Sequence, residues 1–209
     1  MNKTGQLDNL FIEWKKPYTD FAEDGIINEE LWNTAKRKVL FLLKEPNKPI
    51  GNLREFIDEG GGPWLNVSYW NYALQNVTRL SIPDFRETKE NYKDSCKAIA
   101  IVNLKKTSGG NKANHEEVKQ FAEADKEFIE EEIRIISPEI IVCGGTWEIC
   151  NQIWNNHKPI SKHIYRIPNF GNIIWIDFFH PAYWGMEYEK LYYNLSGYFQ
   201  DYLNKKETY

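Results

Sequence analysis

The chain has 209 residues, with 26 Lys and Arg against 30 Asp and Glu and a formal net charge of −4. That length is enough to bury a full core in one domain, and a 42% hydrophobic share that includes eight Trp excludes a disordered or low-complexity chain. Mean hydropathy is −0.61, no apolar run approaches the roughly 20 residues of a bilayer span, and Met1-Asn2-Lys3-Thr4-Gly5-Gln6 lacks a signal peptide's apolar stretch, so a cytoplasmic protein without membrane association is expected.

Residues 1–27 read as an N-terminal extension packing on the core of a single domain, 1–209. A helix is expected over 28–38, followed by the apolar run Val39–Leu43, which reads as a buried strand. Helices over about 66–80 and 89–97 lead to a second strand, 98–102. Between Glu116 and Glu139 there are nine acidic and three basic residues, with Val118, Phe121, Ala122, Phe128, Ile129, Ile133 and Ile136 near the helical period. This predicts one long amphipathic helix with a solvated acidic face, stopped by Ser137-Pro138. A third strand at 140–143, a helix over 146–155, a fourth strand at 173–179 and a C-terminal helix over 188–203 complete the chain. The four strand runs are apolar throughout rather than alternating, as strands covered on both faces are. The reading is α/β: a three-layer α/β/α sandwich with a short, mainly parallel four-stranded central sheet. Cys96, Cys143 and Cys150 are an odd number without metal-ligand spacing and read as buried reduced thiols, so neither metal nor cofactor is expected.

In open parallel sheets the ligand site lies at the carboxyl ends of the strands. The segments that leave the four strands here are Lys44-Glu45-Pro46-Asn47-Lys48-Pro49, Asn103 through Gly110, Gly144-Gly145-Thr146 and His180-Pro181-Ala182. A carboxylate, an amide, a glycine pair and an imidazole are therefore expected at one edge. The chain has neither the Gly-rich phosphate cradles of dinucleotide and P-loop sites nor a Gly-x-Ser-x-Gly nucleophile elbow. His115, His157 and His163 stand in polar segments, whereas His180 ends a very apolar strand and is pinned by a proline.

Taken in order, these segments resemble the uracil-DNA glycosylase superfamily. Leu43-Lys44-Glu45-Pro46 is similar to the family's first motif, which closes the first core strand with Gly, a polar residue, Ala/Asp/Asn and Pro. Ala100-Ile101-Val102-Asn103 is similar to the strand whose final Asn reads the base edge, and 137–144 resembles the penultimate strand. Gly62-Pro63-Trp64 is similar to the Pro-Phe that supplies a stacking ring, and His180-Pro181-Ala182 to the closing His-Pro-Ser. The likeness runs from about Lys38 to Trp184. The sequence departs at Leu43, where the family has glycine, at Glu45, one methylene longer than the family's Asp or Asn, and at Ala182, where it has serine; the four cysteines of the iron–sulfur branches are missing.

The resemblance implies a DNA glycosylase-like protein acting on uracil or another altered base, a monomer whose partner is single- or double-stranded DNA. Breaking an N-glycosidic bond builds positive charge on the sugar and negative charge on the base. Glu45 and His180 are then the catalytic candidates, the first for the cation and its attacking water, the second as donor to the base anion. Base binding falls to Asn103, Trp64, Phe56, Pro46 and Asn47, since the base must leave the stack to be reached. Lys44, Lys48, Lys105, Lys106, Thr107, Ser108, Gly144 and Ala182 are expected to hold the backbone by counterion release and hydrogen bonds, and Tyr183 and Trp184 to wedge the vacated stack. The acidic helix is expected to face away from a bound strand. Two other readings remain: a catalytically inactive glycosylase-fold module that binds a base or nucleic acid, and an enzyme acting on a free nucleoside or nucleotide.

Overall fold

An unbroken apolar run makes a stable strand only where both of its faces are covered, and Val39–Leu43 is the plainest case, with all five residues buried. The computed structural model, which describes residues 1–48, 51–55, 57, 61–110 and 112–205, sets this strand inside a seven-stranded mixed sheet. In chain order the elements are α1 (Lys3–Trp14), β1 (Gly25–Ile26), α2 (Glu29–Thr34), β2 (Val39–Leu43), α3 (Pro63–Asn76), α4 (Phe85–Asn91), β3 (Ala100–Asn103), α5 (His115–Ala124), α6 (Lys126–Ile136), β4 (Ile140–Gly144), α7 (Trp147–Ile153), β5 (Lys158–Ser161), β6 (Ile164–Arg166), β7 (Ile174–Phe178) and α8 (Tyr188–Lys205). The strand order is β1-β3-β2-β4-β7-β6-β5.

The four strands expected from the sequence form the parallel centre, β3-β2-β4-β7. Four strands undercount the sheet, however. β1 adds to one edge antiparallel to β3, and the β5–β6 hairpin adds to the other, antiparallel to β7. These three are two to four residues long, and β5 and most of β6 are only partly covered, so no apolar run marks them. Helices cover both faces. One face carries Val67, Trp70 and Leu74 of α3 with Leu191, Leu195 and Phe199 of α8. The other carries Leu7, Phe11 and Trp14 of α1 with Ile129, Ile133 and Ile136 of α6.

The acidic segment is two helices rather than one. α5 ends at Asp125, which accepts hydrogen bonds from the Tyr18 hydroxyl at 2.8–2.9 Å, and α6 starts again at Lys126. Nor is its charge all solvated, because Glu132 is fully buried. Cys96, Cys143 and Cys150 are buried. Among the described residues no helix is long and apolar enough to cross a membrane.

Register decides where the strands end. Leu43 stands opposite Asn103, Leu42 opposite Cys143, and Cys143 opposite Asp177, so the carboxyl ends of all four parallel strands come level at one edge of the sheet. Hydrogen bonding between neighbours continues past the strands. Leu104 N donates to Leu43 O at 2.9 Å, Lys105 N to Lys44 O at 2.9 Å and Gly109 N to Pro46 O at 2.8 Å. The loops after β2 and β3 are thereby fastened side by side.

Candidate active site

A cleft of about 470 Å³ opens at this edge, lined by Lys44, Glu45, Pro46, Asn47 and Lys48 after β2, Asn103 at the end of β3, Pro63 and Trp64 on α3, and His180, Pro181 and Ala182 after β7. That volume lies in the range of about 300–1,000 Å³ common for small-ligand sites. Trp64 is half-buried at the start of α3, just after Pro63 at the first helical position, where its missing N–H costs nothing.

His180 is held by its own turn. Ala182 N donates to His180 Nδ1 at 3.1 Å, Tyr183 N donates to His180 O at 2.9 Å, and the buried Asn66 amide donates to Pro181 O at 2.7 Å. A backbone N–H only donates, so Nδ1 is unprotonated and the ring proton sits on Nε2. Burial first, and then the Lys44 cation, push the His180 pKa down to about 4. The ring is a neutral imidazole at physiological pH with an Nε2–H to offer. Gly145, at φ +69°, turns the chain out of β4 behind it; a Cβ there would lie 3.3 Å from His180 Cβ.

Glu45 is not a bare carboxylate. Its Oε2 accepts from Lys105 Nζ at 2.8 Å, both side chains are only 4% exposed, and Lys105 also reaches Glu117 on α5 at 2.6 Å. Burial alone would lower the Lys105 pKa, but its hydrogen bonds to Glu117 and Glu45 outweigh that and raise it, which keeps the ammonium charged. Gly109 packs so closely on this carboxylate that a Cβ would overlap it. The acidic α5 therefore does not face away from the cleft; its Glu117 helps hold the cation that pairs with Glu45.

Lys106 is likewise no phosphate ligand. It is 1% exposed and pairs with Asp24 and, at 2.7 Å, with Glu132, beneath the rings of Trp14 and Phe11. Burial first, and Asp24's charge second, raise the Glu132 pKa well above the carboxylate range. The expected backbone grip from Lys105 and Lys106 is thus corrected: Lys105 is paired with the buried Glu45 and the half-exposed Glu117, and Lys106 with the buried Asp24 and Glu132. Ser108 gives both its N–H and its hydroxyl to Asp20, and Gly144 lies buried in β4, packed on Leu43 and Pro181, so neither is free to bind a phosphate. Thr107 is half-buried beside them. Lys44 and Lys48 remain on the cleft.

Tyr183 and Trp184 lie beyond the His180 turn, 38% and 73% exposed, with Tyr183 stacked on Phe179 at 4.7 Å. Phe56, expected at the base, lies outside the described residues. Sequence reasoning missed Asn66, Asp20, Asp24 and Glu117. Only Asn66 carried a signal, as a polar residue among the apolar positions of a helix; the others are recruited across the fold. Among the described residues no cluster of three or more His, Cys, Asp or Glu is arranged to hold a metal ion.

The fold and cleft define an α/β protein with a cleft of small-ligand size at the carboxyl edge of its parallel strands, furnished with a carboxylate–ammonium pair and a neutral imidazole. Neither a scan against protein-family models nor a search of curated proteins finds a match to this chain.

Proposed function

We propose that this protein is a base-excising N-glycosylase of the uracil-DNA glycosylase type, divergent in sequence and acting on uracil or another altered base in DNA. The observation that carries this reading is the shared cleft. Glu45, a neutral His180 whose Nε2–H has no hydrogen-bond partner among the described residues, the Trp64 indole and the Asn103 amide all line one space of about 470 Å³.

In the reaction the C1′–N bond breaks and its electron pair leaves with the base. Water adds to C1′, and the proton it loses balances the charge on the departing base. His180 Nε2–H donates to a base carbonyl as negative charge grows there, a preorganised contact worth roughly 3 kcal/mol in comparable sites. Because the imidazole is already neutral, it stabilises the anion by a hydrogen bond without first giving up a cation's proton. Glu45 faces the positive sugar and orients the water, and Lys105 sets its position at the expense of part of its field. Trp64 supplies the ring on which an extruded base stacks.

One observation favours a second reading, a base-binding module that does not cut. Glu45 is nearly sealed and already paired with a cation. The test is incubation with single- and double-stranded oligonucleotides carrying different altered bases, followed by alkaline cleavage at abasic sites. Scission at one base type, abolished by His180→Ala and reduced at least about a hundredfold by Glu45→Gln, is the expected result. Tight binding without scission for any base selects the module instead.

A further inference from the structure

Asn103 lines the cleft, yet it is tied from behind. Asp24 is fully buried just before β1, and its Oδ2 accepts from Asn103 N at 2.7 Å and from Asn103 Nδ2 at 3.1 Å. Its other oxygen is taken by Lys106 Nζ, and Lys106 is anchored in turn on Glu132 at 2.7 Å. A carboxylate beside an ammonium only accepts hydrogen bonds. Turning the Asn103 amide over would set its oxygen against the Asp24 lone pairs, an arrangement without a proton between two acceptors and costly where water is excluded. Among the described residues no hydrogen bond reaches Asn103 Oδ1, and that atom is not one of the sealed, unpartnered polar atoms. The amide thus has one orientation, with nitrogen toward Asp24 and oxygen left for the cleft.

We infer that Asp24, steadied by Lys106, is a positioning residue that sets the specificity of the cleft: it locks Asn103 so that the site offers an acceptor there, and it selects keto-type bases that bring an N–H to that acceptor. His180 supplies the complementary donor for a carbonyl. The inference rests on the base-binding reading above. A base with an N–H beside a carbonyl satisfies both groups. A base carrying an unprotonated ring nitrogen or an N-methyl group at that edge leaves Oδ1 unpaired or blocked. Sites built to hydrogen-bond a ligand discriminate strongly against analogues that lack the partner.

The experiment has one arm without ligand and one with it. In the first, the Asn103 side-chain amide protons are followed by NMR in asparagine-labelled protein; they are expected to exchange slowly, and at least about tenfold faster in Asp24→Asn. In that variant Glu132 remains to pair Lys106, and the thermal unfolding curve reports whether the fold is kept. In the second arm, binding of uracil, N3-methyluracil and cytosine is measured by ligand-observed NMR. The wild-type protein alone is expected to prefer uracil over the other two by at least about tenfold, with the gap falling to about threefold or less in Asp24→Asn. Equal binding of uracil and N3-methyluracil by the wild type, or full selectivity in the variant, overturns the inference. Fast exchange in the wild type disproves the lock itself. If the lock is seen but none of the bases binds, the base-binding reading fails, and Asp24 is left with a structural role only.

Discussion

His180 shows how a single side chain takes its chemistry from its surroundings. Its pKa falls from 6.5 to about 4 because burial and Lys44 both disfavour the imidazolium. Between those values the unfolded chain binds the proton and the folded chain does not, so folding gains stability as pH rises through the window and loses it as pH falls. The contribution is complete above pH 6.5 and gone near 4, and it amounts to about 3 kcal/mol. Urea unfolding should therefore show the stability difference between wild type and His180→Asn shifting by about that amount from pH 7 to pH 4, to the disadvantage of the wild type; a pH-independent difference would mean that the ring titrates normally. Gly109 makes the matching case for Glu45. The Cβ of Gly109→Ala must displace the carboxylate, so excision should fall at least about tenfold while the loop keeps its place. An unchanged rate in that variant would remove Glu45 from the chemistry.

At the scale of elements, the N-terminal segment is joined to α6 by a charge network rather than by apolar packing alone. Lys106 leaves β3, crosses to Asp24 beside β1 and meets Glu132 on α6, with no exposure at any of the three side chains. Such a network is costly to assemble and more costly to break, because removing one partner strands the others in a dry interior. Lys106→Met should lower stability by about 3–5 kcal/mol in urea unfolding, far more than the loss of a surface lysine. A change under about 1 kcal/mol would show that water reaches the carboxylates. The same logic fixes the loops after β2 and β3. Their backbone hydrogen bonds extend the parallel pairing beyond Leu43 and Asn103, so the Glu45 loop inherits the rigidity of the sheet.

Over the whole molecule, burying Lys105 and Lys106 changes the electrostatic partner the surface can hold. Arg54 is paired with Asp8 at 2.9 Å. Lys44 and Lys48 line the cleft, and Lys112 stands next to Ala113, which lines it too. With about three phosphate contacts, log affinity for a single-stranded oligonucleotide should fall with log salt at a slope no steeper than about −2. Lys48→Glu should flatten it by about 0.7. A salt-independent affinity would point instead to a free nucleoside or nucleotide as ligand. Trp184, 73% exposed beside the His180 turn, does little for the fold, so Trp184→Ala should leave stability within about 0.5 kcal/mol. The same change should weaken oligonucleotide binding by about 1–3 kcal/mol if the indole stacks on a base. Unchanged binding would make it an ordinary surface residue.

The parallel centre of the sheet and the edge at which the loops carrying Glu45, Asn103 and His180 gather were determined by the sequence alone. Val39–Leu43 and the three later runs are apolar on both faces, a pattern that only covered strands need, and the residues after such strands have one edge to occupy. That Glu45, Asn103 and His180 share one edge was legible for that reason, whereas Trp64 stood out only by its likeness to the family's Pro-Phe. The tertiary structure alone decided which charges stay in water. Lys105 and Lys106 are adjacent in the chain and read as solvated, but their partners, Glu45, Glu117, Asp24 and Glu132, lie up to 82 residues away. No local pattern announces a long-range ion pair, because burial of a charge depends on which opposite charge the fold brings to it. The short edge strands escaped for a related reason: two to four residues gain their stability from the neighbour they pair with, not from an apolar run of their own. The state of His180 is likewise a product of the fold, since its tautomer comes from the Ala182 N–H and its neutrality from burial near Lys44.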